Sequence, residues 1–395
     1  MTNVEFNKQD IESKVIEWRR HIHQNPEYGF DLPETVAYVC KALDEMGVEY
    51  HTLVNGSAVV GLIKGEKGEG KTVALRADMD ALKVKEETGL PFASTNGYMH
   101  ACGHDAHTAM LLGAAYVLNS NRDKFAGNVK LLFQPSEEQD GGAKPMIDEG
   151  CLENPKVDYV IGQHVGALSD EISLGEIGFY PGTMMASLDE FRIDIIGQGG
   201  HGAMPHRTID PIVITASVIQ ALQTMMRREI NSLEPAVFTI GQIHGGTAYN
   251  IVPDKVNING TVRCLNEDVR KYIQERATAI CQGVAESFRG KVEVNYINGY
   301  PSLYNDVALT EELQEMAKGL FGEEKIMTLK NPTLGSEDFA FFSREVPSCY
   351  VFINTAQEFE GKVYPNHNSK FMVDESQLIN GVSYFAHAAL YLLNK

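Results

Sequence analysis

The sequence predicts an α/β protein: a mostly parallel sheet flanked by helices, with a ferredoxin-like β-α-β-β-α-β domain inserted into it. Three observations carry that prediction. The chain has 395 residues, room for two domains at roughly 100–200 residues each. Up to about 185 and again after 297, short β-branched runs alternate with helical stretches, the rhythm of a parallel sheet covered on both faces. From 186 to 297 the rhythm changes to strands that alternate apolar and polar residues around two helices. The expected division is 1–185 with 298–395 as one domain and 186–297 as the other.

Taken in order, 10–24 and 32–46 are expected helices, the second opening at Asp31 or Leu32 with Pro33 in its first turn. KTVALRADMD (71–80) is a β-branched run ending in acids, and 105–119 is helical. GNVKLLFQPSEE (127–138) is a strand stopped at Pro135, and DYVIGQHV (158–165) and SCYVFINT (348–355) are two more. In the insert, EFRIDII (190–196) precedes a helix with Asp210 as N-cap and Pro211 at its first position, running to about Arg228. AVFTIGQIH (236–244) and KVNINGTVRC (255–264) follow, then a helix from Asn266 to near Gly290, then KVEVNYI (291–297).

Composition excludes several classes of partner. A net charge of −19 repels nucleic acid and anionic membranes, so an anionic small molecule would need a local cationic anchor. No apolar run reaches the roughly 18 residues of a membrane-spanning helix, and the polar opening MTNVEFNKQD lacks an apolar leader core. Six cysteines with no CxxC pair read as free thiols, and a cytoplasmic location is expected.

The chemistry concentrates in YMHACGHDAHTAMLL (98–112), where His100, Cys102, His104, Asp105 and His107 precede a run of small and apolar residues. Cys102 and His104, two apart, can face one way and suit zinc or another transition metal, and His107 lies one helical turn beyond His104. A lone histidine or cysteine is more often packing than chemistry, but this group is dense and has company. One strand ends in Asp78 with Asp80 beyond it, one in Glu137 and Glu138, one in His164. In open α/β sheets ligands bind at the carboxyl ends of strands, so these groups converge if the strands share a sheet. His367, in the turn-rich YPNHNSKF (364–371), stands outside any helical stripe, and LGSEDFAFF (334–342) sets Gly335, Ser336, Glu337 and Asp338 before an aromatic run.

Together RADMDAL (76–82), MHACGHDAHTAMLLGAA (99–115), LLFQPSEE (131–138), GQHV (162–165), GSEDFA (335–340) and PNHNSKF (365–371) resemble the M20 metallopeptidases. The likeness is to their N-acyl-amino-acid amidohydrolase branch, with hippurate hydrolases, N-acetyl-diaminopimelate deacetylases and auxin-conjugate hydrolases. It covers nearly the whole chain. The resemblance implies two divalent metal ions per subunit. Cys102 would bridge them, where many relatives use an aspartate. His104 and His164 would complete one site, Glu138 and His367 the other. Manganese is suggested by the branch, while zinc, cobalt and nickel also suit such ligands. Glu137 would be the general base toward a metal-bridged water, and Asp80 and Asp105 would be hydrogen-bond partners of metal-bound histidines.

In the insert, NIVP (250–253) followed by Arg263 resembles the family segment whose arginine holds the substrate's carboxylate, with Asn250 and Gly335 also on the substrate. GQGGHGAMPH (197–206) resembles the segment whose histidine contacts the scissile carbonyl; that is His201, with His206 as the alternative. The implied enzyme is a deacylase of N-acyl amino acids, working as a homodimer through a lid whose histidine reaches the partner subunit's metal centre. A metallo-dipeptidase is the competing enzyme. A non-catalytic metal-binding relative would be marked by loss of Glu137 or of a ligand, and none is lost.

Overall fold

The computed structural model describes residues 7–395; positions 1–6, part of the polar opening read above, lie outside them. Two compact units emerge. The first holds the chain up to Gly182 with Tyr304–Asn331 and Asp338–Lys395, the second Thr183–Leu303 with Pro332–Glu337. The short return of 332–337 to the second unit is a long-range event that no local pattern announces.

The first unit is built on an eight-stranded sheet. Its order is Glu49–Leu53, Ala58–Lys64, Asn128–Gln134, Thr72–Asp78, Tyr159–Gly166, Ser348–Asn354, Ile177–Phe179, Ile326–Thr328. The four central strands are mutually parallel, an antiparallel neighbour adjoins them on each side, and the two short strands at the far edge are parallel to each other. Thr72–Asp78 is buried along its whole length, which explains its unbroken run of apolar and small residues around Arg76. The strands ending in acids, in Gln134-Pro135 and around His164 are therefore direct neighbours. His164 itself lies inside its strand, which runs to Gly166, one residue beyond the stretch read from the sequence.

Helices Lys8–Gln24, His104–Asn119 and Leu378–Leu393 share one core with this sheet. The second of these is buried on nearly every side, consistent with HDAHTAMLLGAA having no polar face. Gly113 lets the helices touch: a Cβ there would lie 2.7 Å from both Val15 and Val382. The helix begins at His104, one residue earlier than expected. The sequence pattern did not reveal the Glu49–Leu53/Ala58–Lys64 hairpin or the short strands at the far edge.

The second unit is a four-stranded antiparallel sheet ordered Ala236–Gly245, Lys255–Cys264, Asp189–Ile196, Lys291–Asn298. Helices Pro211–Arg228 and Glu267–Ser287 pack against it through Ile214, Val218, Leu222, Ile273 and Cys281. Asp210 caps the first by accepting from Ile212 N at 2.8 Å, and Asn266 caps the second through Asp268 N at 2.9 Å. Chain order and strand order together make the β-α-β-β-α-β arrangement. All six cysteines are free, and no helix among the described residues is long and apolar enough to cross a membrane.

Candidate metal centre

The candidate ligands come from four segments near the carboxyl edge of the central strands: the start of helix His104–Asn119, the turn after Asn128–Gln134, the strand Tyr159–Gly166 and the loop holding His367. Cys102 precedes the helix that begins at His104, and Gly103 makes the turn between them at φ +91°. A side chain there would collide with Val165, 2.5 Å from an added Cβ. Glu137 and Glu138 follow the strand Asn128–Gln134, and Asp80 fixes them by accepting both their main-chain N–H groups, at 2.9 and 3.1 Å. His367 sits in a left-handed conformation, φ +70°, where its N–H donates to Ala101 O at 2.7 Å.

The donor atoms converge. Within each of the groups Cys102/His104/His164, Cys102/Glu138/His367 and His104/Glu137/Glu138, the possible ligand atoms lie within 4.8 Å of one another. Cys102 Sγ is 3.4 Å from His164 Nε2 and 3.2 Å from His367 Nε2, and His367 Nε2 is 3.1 Å from Glu138 Oε1. The tautomers are set from behind. His104 Nδ1 faces Asp80 O at 2.9 Å, and His164 Nδ1 faces Val165 O at 2.8 Å. A hydrogen on each Nδ1 turns Nε2 inward, where a bound ion would take the place of any proton on it. His104 Nε2 is buried with no hydrogen-bond partner, a cost that a cation would remove.

Electrostatics ask for the same cation. Burial opposes charge on His104, yet Asp78, Asp80 and Glu138 around it push its imidazolium up to about 10. Burial, then the carboxylates of Glu138 and Glu137, hold the Cys102 thiol well above the usual thiol range. Burial holds the His164 imidazole well below its ordinary range, and so neutral. A thiol, three imidazoles and an inward carboxylate form an N/S/O donor set of the kind divalent metal ions take. Glu137, only 7% exposed, remains as a carboxylate beside that set.

Other singled-out residues take different roles. Asp105 is not beside a metal-facing histidine. Its Oδ2 accepts from Arg19 Nε at 2.7 Å and lies 2.8 Å from His23 Nδ1, tying the first helix down. The acid that does serve His104 and the Glu pair is Asp80. Asp338 is fully buried, bound to Arg76 Nη2 at 2.7 Å and to Gln134 Nε2 at 2.8 Å, and organises the strand ends. No local pattern marked Arg76 and Asp338 as partners, because they are far apart in sequence.

The remaining candidates belong to the second unit. His201 and Asn250 meet on a short ribbon: Ile251 pairs with His201, and Gly202 N donates to Asn250 O at 2.9 Å. His206 lies on the 3₁₀ turn Pro205–Arg207 beyond it. Arg263 Nη1 donates to Leu334 O at 3.1 Å and Ser336 Oγ at 2.7 Å, on either side of Gly335. Those partners are neutral, so the guanidinium keeps its charge for an anion.

A cluster of such donors beside a further buried carboxylate is the equipment of metal-assisted hydrolysis. Residues 74–391 match Peptidase family M20/M25/M40, and the chain belongs to that family, a group of hydrolases acting on amide bonds. It is 42% identical over 386 residues to thermostable carboxypeptidase 1 of Saccharolobus solfataricus, covering 96% of this chain and 95% of that one. It is 38% identical to an N-acetyl-L-cysteine deacetylase of Bacillus subtilis, covering 98% and 90%. The solved YXEP protein of Bacillus subtilis, a dinuclear metal binding peptidase of the M20 family, superposes with a TM-score of 0.84 at 32% identity over 98% of this chain and 99% of that one.

Proposed function

We propose that the chain hydrolyses the amide bond of N-acyl amino acids, using two divalent ions. Cys102 would be shared, His104 and His164 would hold one ion, and Glu138 and His367 the other. The observation that carries this is the convergence of three inward Nε2 atoms, the Cys102 thiol and Glu138, with Glu137 alongside. Bound there, the ions would acidify a water and polarise the scissile carbonyl. Glu137 takes the proton from the attacking water and returns it to the leaving nitrogen. Asp80, holding both glutamates by their main chain, keeps the base apart from the ligand.

Arg263 binds the substrate's free carboxylate, beside Gly335 and with Asn250 contributing to the same substrate. Its two neutral anchors orient the fork without neutralising it. His201 donates a hydrogen bond to the developing oxyanion, across a two-fold dimer formed through the inserted domain. The unpaired outer edge of Ala236–Gly245 and exposed Ile212, Val213, Ile243 and Tyr249 support such a surface. Manganese is favoured, with zinc, cobalt or nickel as alternatives, and the cytoplasm is the expected compartment.

The testing experiment is a hydrolysis panel of N-acetyl, N-benzoyl and longer acyl amino acids beside dipeptides, after metal removal and re-addition of manganese or zinc. The proposal expects metal-dependent turnover of acyl amino acids above dipeptides. The reverse preference would select a peptidase, a reading that the 42% identical carboxypeptidase favours.

A further inference from the structure

His107 is buried beside the candidate ligands, yet the proposed reaction gives it no task. It falls in a close group with Asp78 and His104, which makes it look like a further ligand. Its contacts exclude that. Nε2 accepts the main-chain N–H of Val165 at 2.9 Å, and Nδ1 lies 2.5 Å from Asp78 Oδ1. With Nε2 accepting, the ring hydrogen sits on Nδ1 and points at the carboxylate, so no lone pair is left for an ion.

The sheet explains why Val165 needs this partner. Strand Thr72–Asp78 pairs with Tyr159–Gly166 only from Val73–Tyr159 to Arg76–Gly162. On its other side it stays paired with Asn128–Gln134 as far as Asp78, and Met79 N donates to Gln134 O at 2.8 Å. The opposite side of Tyr159–Gly166 stays paired, through Ile353–Val165 and Asn354–Gly166. The last residues of the ligand-bearing strand thus lose a ladder on one side only. Side chains replace it: His107 takes the N–H of Val165, and Asn366 Nδ2 donates to its carbonyl at 3.2 Å. That carbonyl is also the one His164 Nδ1 faces at 2.8 Å. Asp78 is in turn held by Arg76 Nη1 at 2.8 Å and, through its carbonyl, by Thr108 Oγ1 at 2.7 Å.

We infer that His107 is a positioning residue, a neutral imidazole strut from Asp78 to the Val165 peptide that fixes where His164 aims its Nε2. The strut acts on one of the two proposed ion sites, the one containing His164, and so rests on the dinuclear reading above. Loss of a hydrogen-bond partner that orients a metal ligand costs about 10–100-fold in affinity.

The test compares His107→Gln with His107→Asn. The glutamine amide can still accept from Val165 and donate to Asp78; the asparagine reaches Asp78 but is too short for Val165. Metal-free protein is titrated with cobalt, followed by its visible thiolate and ligand-field absorption, and melted with and without the ion. We expect wild type to take up two ions, His107→Gln to stay within about tenfold of it, and His107→Asn to bind one of the two ions about 10–100-fold more weakly. The metal-free forms should melt within a few degrees of each other. Unchanged affinities in His107→Asn, whether or not its metal-free form melts early, would overturn the strut, since that is the signature of packing alone. Fewer than two ions in wild type would overturn the dinuclear reading first and this assignment with it.

Discussion

The candidate groups of the two units differ in how they are held. In the first unit Cys102, His104 and His164 are all under 8% exposed. Both histidines have an oxygen behind Nδ1, and the glutamate pair is clamped by Asp80. In the second unit His201 and Asn250 are exposed, and Arg263 is anchored through one nitrogen to neutral oxygens. Under the proposed function the first set holds resident ions, and the fixed geometry of its three buried members suits that role. The second is anchored at the base and open at the tip, as suits groups that meet a substrate and release it.

Replacements that leave the first set folded but idle should give the largest effect. Glu137→Gln should keep its metal and lose about 10²–10⁴-fold in kcat, because only general-base catalysis is removed; metal analysis beside steady-state kinetics checks both halves. In the second unit, His201→Ala should cost about 10²–10³-fold in rate as an oxyanion donor. If it acts across a dimer, mixing it with a Glu137→Ala chain should restore up to half the activity per mixed dimer. Absence of recovery despite subunit exchange would place His201 within its own chain or outside the reaction.

Arg263→Ala should lower kcat/KM for free acyl amino acids about 10–100-fold, mostly through KM, the worth of a charge-assisted hydrogen bond. It should barely affect substrates whose carboxyl is amidated, and equal losses would remove the anchor role. The smallest effect concerns how the first unit is pinned. Burial opposes charge on Asp105, but Arg19 and His23 hold it below the ordinary carboxylate range. Its contribution to stability is therefore present above a pH of about 4 and fades as pH falls. Despite burial, Asp105 and Glu86 raise His23, whose contribution is full below about 6.5 and fades as pH rises through its folded value. Both contributions coexist between those limits. Asp105→Asn should lose about 1–3 kcal/mol there and flatten the acid limb, as read by urea unfolding from pH 3 to 7.

What the sequence made legible was whatever depends on local pattern. The helix Pro211–Arg228 announced itself through Asp210 and Pro211, and the strand-end acids through runs that stop at Asp78 and Gln134. The family motifs named the converging residues, but their proposed roles rested on likeness, not on spacing. What stayed hidden depends on contacts between distant segments. Asp105 is expected to be a hydrogen-bond partner of a metal-bound histidine, but the helix turns it toward Arg19. In the sequence His107 is marked only by lying one helical turn beyond His104, and it is the early end of the pairing between two neighbouring strands that shows why its nitrogens are committed. Arg76, the largest fully buried side chain, is intelligible only once Asp338 returns to it from across the chain.

The central claim is that one thiolate serves two ions. Metal content of wild type and of Cys102→Ser, purified alike and dialysed against manganese or zinc, tests it most directly. The account predicts two ions per wild-type chain and loss of both on the serine replacement, with Glu138→Gln weakening the ion it shares with His367. Two fully retained ions in Cys102→Ser would contradict it.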